Sequence, residues 1–234
     1  MESQFSMEQR MLNRLLLETA FLKDSGLFYG QTGIILGFAL LYERTSDEIY
    51  KEIMDVLLDR MTEQLTNDLS ISFDKGIAGI GWGMEYLIQN RLVEGDSLEV
   101  CKEFDERIVR ENVRRMTDLS LETGLEGLLH YITAHLQGVW NQSGRYPFDG
   151  DFLKDVYVAA CRTSEDDIPV SLMSLCAGYR RFYESGKVPR YTFDFIKWIE
   201  VKTENAGHGL GLKNGLAGLL LKKIVLNEKG VYIG

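Results

Sequence analysis

The sequence predicts an all-α protein made of repeated helical hairpins. Apolar residues recur at the i, i+3, i+4 spacing of an amphipathic helix, as in Leu12, Leu15 and Leu16. No Asn-Gly or Asp-Gly pair joins two alternating apolar runs, so the usual sign of a β-hairpin is missing. A Gly-x-x-Gly motif returns at intervals of about 45 residues, a period typical of one helical hairpin per repeat.

The predicted helices are of two kinds that alternate along the chain. Five are amphipathic and charged, and such helices keep one face in water: Met7–Leu22, Asp47–Leu65, Ser97–Thr117, Phe152–Cys161 and Thr192–Glu200. Five are apolar on nearly every side, which predicts burial: Gly30–Leu41, Gly76–Ile88, Gly124–Leu136, Ser171–Phe182 and Gly215–Ile224. The alternation predicts an outer and an inner layer in a single domain, residues 1–234. The longest predicted loop is Val139–Asp151.

Glycines three residues apart mark the starts of the inner helices. Clear copies of the motif begin at Gly30, Gly76, Gly124 and Gly215, and a weaker copy surrounds Gly178. Residues i and i+3 share one helix face, so two glycines there let another backbone approach closely. A second interpretation is that the helix N-termini face a cavity, where their N–H groups bind an anion.

Composition and charge exclude several classes of protein. The chain has 234 residues, 45% of them apolar, and a formal charge of −9, which indicates a folded domain without a basic nucleic-acid-binding surface. The longest apolar run, Gly33–Tyr42, is about half the length that a membrane helix needs. Met1–Arg10 is polar and does not resemble a signal peptide. The three cysteines are widely spaced, so we expect reduced thiols in a cytoplasmic protein.

Two segments resemble the lanthionine synthetase C-like family. They are Gly76-Ile77-Ala78-Gly79-Ile80-Gly81-Trp82-Gly83 and Asn214-Gly215-Leu216-Ala217-Gly218-Leu219. The resemblance implies an α/α toroid, and because this chain supplies about five hairpins, fewer than the family ring, it implies a small or incomplete toroid. A homodimer in which a second copy supplies the missing hairpins is one arrangement that follows.

The resemblance also implies zinc chemistry, from which this sequence departs. Active members of the family hold one zinc ion with two Cys and one His, and use it to activate peptide thiols. Ser174-Leu175-Cys176-Ala177-Gly178 resembles one motif, so Cys176 matches a zinc ligand. The second motif, Cys-His-Gly, reads Lys213-Asn214-Gly215, and the Ala-His-Gly motif that supplies a catalytic His reads Glu122-Thr123-Gly124. Because these motif residues are replaced, we expect the protein to have no cofactor. The alternative is a zinc ion bound at Cys176.

Two further sets of residues keep enzymatic alternatives open. His208 lies in a Gly-His-Gly segment and, with Cys176, has the residue types of a metal site or a nucleophile–base pair. His130 and His135 are five apart, which is not the i, i+4 spacing of two ligands on one helical face. Asp74, Glu85 and Glu122, near the aromatic residues Trp82 and Tyr29, are the types found in a glycosidase cleft.

The sequence therefore leads to one main functional prediction. We expect a non-catalytic member of the family, a pseudoenzyme that binds a peptide or a small acidic ligand in a central cavity and assists peptide modification. The ligand-binding candidates are Lys213, Asn214, Asp74, Trp82, Tyr29 and Thr123. The alternatives are an enzyme, either a divergent zinc-dependent peptide cyclase or a glycosidase-like hydrolase, and a structural or interaction protein. We expect neither nucleic acid nor membrane as a partner.

Overall fold

The computed structural model describes residues 7–66, 68–163, 168–194 and 209–228. Within these ranges the regular structure is helical and contains no strand, which confirms the all-α prediction and agrees with an α/α toroid. The described residues fall into two compact units, one within 1–68 and 194–234 and the other within 69–193. That the chain is a single domain stays a prediction. No helix in the described ranges combines the length and the apolar character needed to span a membrane.

The described residues of the first unit form four helices. They are α1 (Met7–Thr19), α2 (Gln31–Thr45), α3 (Glu48–Gln64) and α9 (Leu216–Glu228). Helix α2 packs against α3 and α9, and α1 packs against α9 and α2. Ten residues of α2 are buried, against three of α3. Helix α2 is therefore the inner member of the first hairpin, as the sequence predicts.

The described residues of the second unit form five helices and a short 3-10 turn. They are α4 (Ile77–Gln89), α5 (Ser97–Ile108), the 3-10 turn Val113–Arg115, α6 (Leu125–Ser143), α7 (Gly150–Arg162) and α8 (Val170–Ser185). Helix α4 packs against α5 and α6, α6 packs against α8, and α7 packs against α8. Helices α4 and α6 form the core of this unit, with 12 and 14 buried residues.

The outer and inner helices begin in chemically different ways. Each of the outer helices α3, α5 and α7 starts after an aspartate whose carboxylate accepts a backbone N–H of the first turn: Asp47, Asp96 and Asp149. The inner helices α2, α4 and α6 start after Gly30, Gly76 and Gly124, which supply no side-chain cap. The missing cap is replaced by backbone groups of the preceding loop.

Three element boundaries correct the sequence-based predictions. Helix α5 ends at Ile108 rather than Thr117, because the chain turns there and buries Val113 in the 3-10 turn. The predicted loop Val139–Asp151 is largely helical, since α6 continues to Ser143 and α7 begins at Gly150. Gly144 ends α6 with a φ of 65°, a left-handed conformation that favours glycine. The predicted helix Thr192–Glu200 lies mostly outside the described residues.

Candidate functional site

The loops before the glycine-started helices share one hydrogen bond. The first helical N–H donates to the carbonyl oxygen seven residues earlier in four places: Gln31 to Asp24 at 2.8 Å, and Ile77 to Ser70, Leu125 to Asp118 and Leu216 to Gly209 at 2.9 Å. The first amide of each helix is thus satisfied within the chain. The internal repeat of the sequence is a repeat of this loop. The anion-binding interpretation receives no support at these four amides.

The glycines allow this loop to fold tightly. A Cβ at Gly30, Gly76 or Gly124 would overlap backbone atoms of the glycine's own loop, and a Cβ at Gly127 would overlap the Leu121 carbonyl and Phe73. At these positions the glycines do allow a close approach, but to the preceding loop and to Phe73, and not to another inner helix as the packing interpretation expected. Gly178 differs, because it lies inside α8, and a Cβ there would meet no atom of another segment within 4 Å. The weaker fifth copy of the motif lacks the close approach.

Three ligand-binding candidates lie in the first unit, Lys213 and Asn214 in the loop before α9 and Tyr29 in the loop before α2. The backbone N–H of Lys213 donates to the Phe28 carbonyl at 2.8 Å, and the Lys213 ammonium lies 5.4 Å from the centre of the Phe28 ring. That distance is in the range of a cation–π contact. Asn214 has a φ of 57°, a left-handed conformation that asparagine tolerates. Tyr29, next to Phe28, is 37% exposed.

Two other candidates lie in the loops before α4 and α6 of the second unit. Asp74 is half-buried and accepts the Lys75 N–H at 2.7 Å. Thr123 is exposed, and its hydroxyl donates to Asp118 at 2.6 Å. This contact, with the backbone N–H and hydroxyl of Ser120, lowers the pKa of Asp118. The two loops are joined because the N–H groups of Phe73 and Asp74 donate to the Glu122 carbonyl.

Trp82 lies in the core of the second unit rather than on a binding surface. Its indole is fully buried, and its Nε1–H donates to the Tyr191 hydroxyl at 2.7 Å. The same hydroxyl lies 2.7 Å from Nδ1 of His130. The Tyr191 oxygen accepts the indole N–H, and its own O–H is placed to donate to Nδ1 of a neutral His130. Burial agrees with this assignment, because it lowers the pKa of His130 to about 4.

Cys176, the match to a family zinc ligand, is a buried thiol on α8. The Thr163 hydroxyl lies 3.5 Å from its Sγ, and burial raises the pKa of the thiol. Thr163 also lines an open pocket of about 230 Å³ whose other walls are Met116, Thr117, Leu119, Leu125, Ala159 and Arg162. Cys176 thus lies behind the wall of a pocket. His208, its proposed partner, lies outside the described residues.

Glu85 is the centre of a buried hydrogen-bond network in the second unit. One carboxylate oxygen, Oε1, lies 2.7 Å from Nδ1 of His135, and the other, Oε2, accepts Gln89 Nε2 at 2.6 Å and Ser97 Oγ at 3.2 Å. The opposite ring nitrogen of His135, Nε2, lies 2.8 Å from Oδ2 of Asp105. With no exposed surface and several partners, Glu85 is unsuited to the open glycosidase cleft that the sequence suggested.

His135 is charged in this environment because both ring nitrogens face carboxylates. Burial alone lowers the pKa of its imidazole, but hydrogen bonds with Asp105, Cys101 and Glu85 raise it well above the ordinary value. Tyr131 completes the network by donating to Oδ1 of Asp105 at 2.6 Å.

Sequence reasoning missed Asp105, Cys101, Ser97 and Tyr131. The sequence does contain a pattern that could have identified them, because Ser97, Cys101 and Asp105 are spaced four residues apart on the buried face of α5. Tyr131 and His135 have the same spacing on α6. Residues four apart lie on one face of a helix, so such a series of polar residues predicts a buried network.

The fold defines a class of protein, an all-α chain of helical hairpins whose inner helices begin at glycine loops. The family model described as lanthionine synthetase C-like protein matches residues 22–168, more than half of the chain. The chain therefore belongs to the lanthionine synthetase C-like family. The match includes α2 to α7 and ends before Cys176. No curated protein matches the chain.

The residues that the resemblance matches to the family's zinc ligands are not of the types that hold a catalytic zinc ion. Zinc in proteins is bound by thiolate, imidazole and carboxylate groups. Of the three positions, one holds Cys176 as a buried thiol, and the others hold Lys213 and Asn214. An ammonium group repels a cation, and Lys213 already contacts the Phe28 ring.

Proposed function

We propose that this chain is a non-catalytic member of the lanthionine synthetase C-like family that binds a peptide or small ligand carrying acidic groups and assists peptide modification. The observation that carries the proposal is the replacement of the Cys-His pair by Lys213 and Asn214 in the glycine loop before α9. The replacement removes two zinc ligands and introduces a cation at a position where the family places one.

Lys213 suits an acidic partner by its charge and its setting. It is half-buried beside the partly exposed Tyr29, and its backbone is fixed through the Phe28 carbonyl. Partial burial strengthens an ion pair relative to one in bulk water. A carboxylate of a bound peptide would meet the Lys213 ammonium, with Asn214 as a neighbouring amide donor.

The first test measures binding of a fluorescently labelled, glutamate-containing peptide by anisotropy, beside the same peptide with glutamine in place of glutamate. We expect the acidic peptide alone to bind, with affinity falling as salt increases. Lys213→Gln should weaken binding about 10-fold, the value of one charge-assisted hydrogen bond. The matched control is Lys222→Gln, an exposed lysine on α9. Equal binding of both peptides, or no effect of Lys213→Gln, would contradict the proposed ligand.

The second test addresses catalysis. Zinc content is measured by elemental mass spectrometry on the wild type and on Cys176→Ala. We expect the Cys176 substitution to leave the metal content unchanged. A zinc ion lost specifically on this substitution would overturn the non-catalytic proposal and restore the divergent cyclase.

We further propose a cytoplasmic protein, and the free thiols of Cys101, Cys161 and Cys176 support this. A homodimer that completes the family ring is the assembly we propose to test, by light scattering on the eluting protein.

A further inference from the structure

The strongest unassigned feature is a set of three metal-ligand atoms in the core of the second unit. Glu85, Cys101 and His135 each direct a ligand atom to one point, and these atoms all lie within 4.8 Å of one another. Oε1 of Glu85 is 4.0 Å from the Cys101 sulfur and 2.7 Å from Nδ1 of His135. All three side chains are fully buried. They come from three different helices, α4, α5 and α6.

The surroundings have the arrangement that orients metal ligands. A ligating histidine commonly donates its second ring N–H to a carboxylate, which fixes the ring and its tautomer. Here Nε2 of His135 faces Asp105 at 2.8 Å, and Asp105 is itself held by the Tyr131 hydroxyl. Glu85 is held in the same way, because Gln89 and Ser97 bind the oxygen that points away from His135.

Glycine makes room for the carboxylate. A Cβ at Gly138 of α6 would overlap Oε2 of Glu85, so no other residue fits beside Glu85 at that position. The backbone of α6 therefore approaches the carboxylate closely on the side of Oε2.

We propose that Glu85, Cys101 and His135 bind a zinc ion through three protein ligands. One sulfur, one imidazole nitrogen and one carboxylate oxygen match the ligands that zinc prefers. The site is separate from the position of Cys176, and it departs from the sequence-based expectation of no cofactor. Its role is to join α4, α5 and α6, since each helix contributes one ligand.

The ligand atoms must change their separations by about half an ångström or more to accept the ion, and the Cys101 sulfur, 4.0 Å from Oε1 of Glu85, must move closer. Zinc–nitrogen and zinc–oxygen bonds of about 2.0 Å in tetrahedral geometry place these two atoms about 3.3 Å apart. The observed 2.7 Å is a hydrogen bond, which the ion replaces when His135 and Glu85 separate. Binding also displaces the Cys101 thiol proton and the proton between His135 and Glu85, because zinc ligands bind in their deprotonated forms.

The test compares zinc content across a matched set of cysteine variants. The full chain is unfolded in urea in the presence of a chelator, and it is then refolded with or without Zn²⁺. This order is used because the buried site is expected to load during folding. We expect the wild type to take up about one zinc ion per chain and to release about two protons as it does so. Cys101→Ser should lose the ion, whereas Cys161→Ser and Cys176→Ser, which alter an exposed thiol and the family-matched thiol, should keep it.

A second measurement keeps the proposal testable if Cys101→Ser does not fold. Wild-type protein refolded with Co²⁺ should show thiolate-to-cobalt charge-transfer absorption, and the milder Asp105→Asn should weaken zinc affinity about 10- to 100-fold. Wild type that acquires no zinc on refolding, or a zinc content unchanged in Cys101→Ser, would overturn the site. Loss of zinc in Cys176→Ser alone would instead overturn the non-catalytic proposal, so the two failures are distinguishable.

Discussion

Nδ1 of His135 lies 2.7 Å from Oε1 of Glu85, although the two residues are 50 positions apart and neither side chain is exposed. The contact joins α4 to α6, the two inner helices of the second unit. Because Asp105 holds the opposite ring nitrogen, the imidazole is enclosed by carboxylates on both sides. A buried charge is tolerated only when it is paired in this way.

Removing the charge of Glu85 should destabilise the second unit. In the protein freed of metal by a chelator, Glu85→Gln keeps the size of the side chain but leaves the His135 charge paired on one side only. We expect the free energy of unfolding to fall by about 3 kcal/mol, as when one partner of a buried pair is removed. Urea unfolding at pH 7 measures the change. Glu106→Gln, an exposed change of the same chemistry on α5, should shift stability by less than about 0.5 kcal/mol. Equal effects of the two substitutions would show that the network contributes nothing specific.

Two glycines of the repeated motif should respond in opposite ways to substitution by alanine. Gly127→Ala places a methyl group against the Leu121 carbonyl and Phe73, and we expect a loss of about 1–3 kcal/mol from overpacking. Gly178→Ala lies in open space inside α8, where alanine favours the helix, and we expect a gain of about 0.5–1 kcal/mol. Thermal unfolding of both variants tests this difference. A stabilising Gly127→Ala would show that the loop relaxes freely.

The Tyr191 hydroxyl should matter more than its size suggests, because it connects two buried partners. Tyr191→Phe leaves the Trp82 indole N–H and Nδ1 of His130 without this oxygen. A buried polar group left unsatisfied costs about 1–3 kcal/mol. We expect a loss of that size in urea unfolding, together with a shift in tryptophan fluorescence. Tyr146→Phe, which removes an exposed hydroxyl bonded to the Gly186 carbonyl, is the control and should change stability little.

Local patterns predicted the helices well because each helix is encoded by neighbouring residues. The inner helices that begin after Gly30, Gly76 and Gly124 all occur where the sequence predicts them. The end of α6 was missed because Gly144, the residue that stops it, lies inside a segment rich in turn residues. Polar residues such as Asn141 and Gln142 are compatible with the exposed last turn of a helix, so composition alone could not separate helix from loop.

The buried network was less accessible to sequence reasoning because it depends on contacts between distant residues. Glu85 was recognised as unusual in an apolar helix, but nothing local identifies His135 as its partner. The five-residue spacing of His130 and His135 excluded a shared face, and the structure gives them separate partners, Tyr191 and Glu85. A histidine is assigned a role by what it meets across the core, and one sequence does not contain that information.

His130 should make stability depend on pH in a defined direction. Burial lowers its pKa from 6.5 to about 4, so below pH 6.5 the unfolded chain takes up a proton that the folded chain refuses. The contribution of neutral His130 to the free energy of unfolding is therefore fully present above about pH 6.5 and declines as the pH falls towards 4. The two pKa values correspond to a loss of about 2 kcal/mol between pH 7 and pH 5.

Carboxylates also titrate at low pH, so the measurement compares urea unfolding of the wild type with that of His130→Gln at pH 7 and at pH 5. We expect the variant to be less stable at pH 7 but to lose about 2 kcal/mol less than the wild type at pH 5. Parallel pH dependence of the two proteins would show that His130 is not held neutral by the Tyr191 hydroxyl and its buried surroundings.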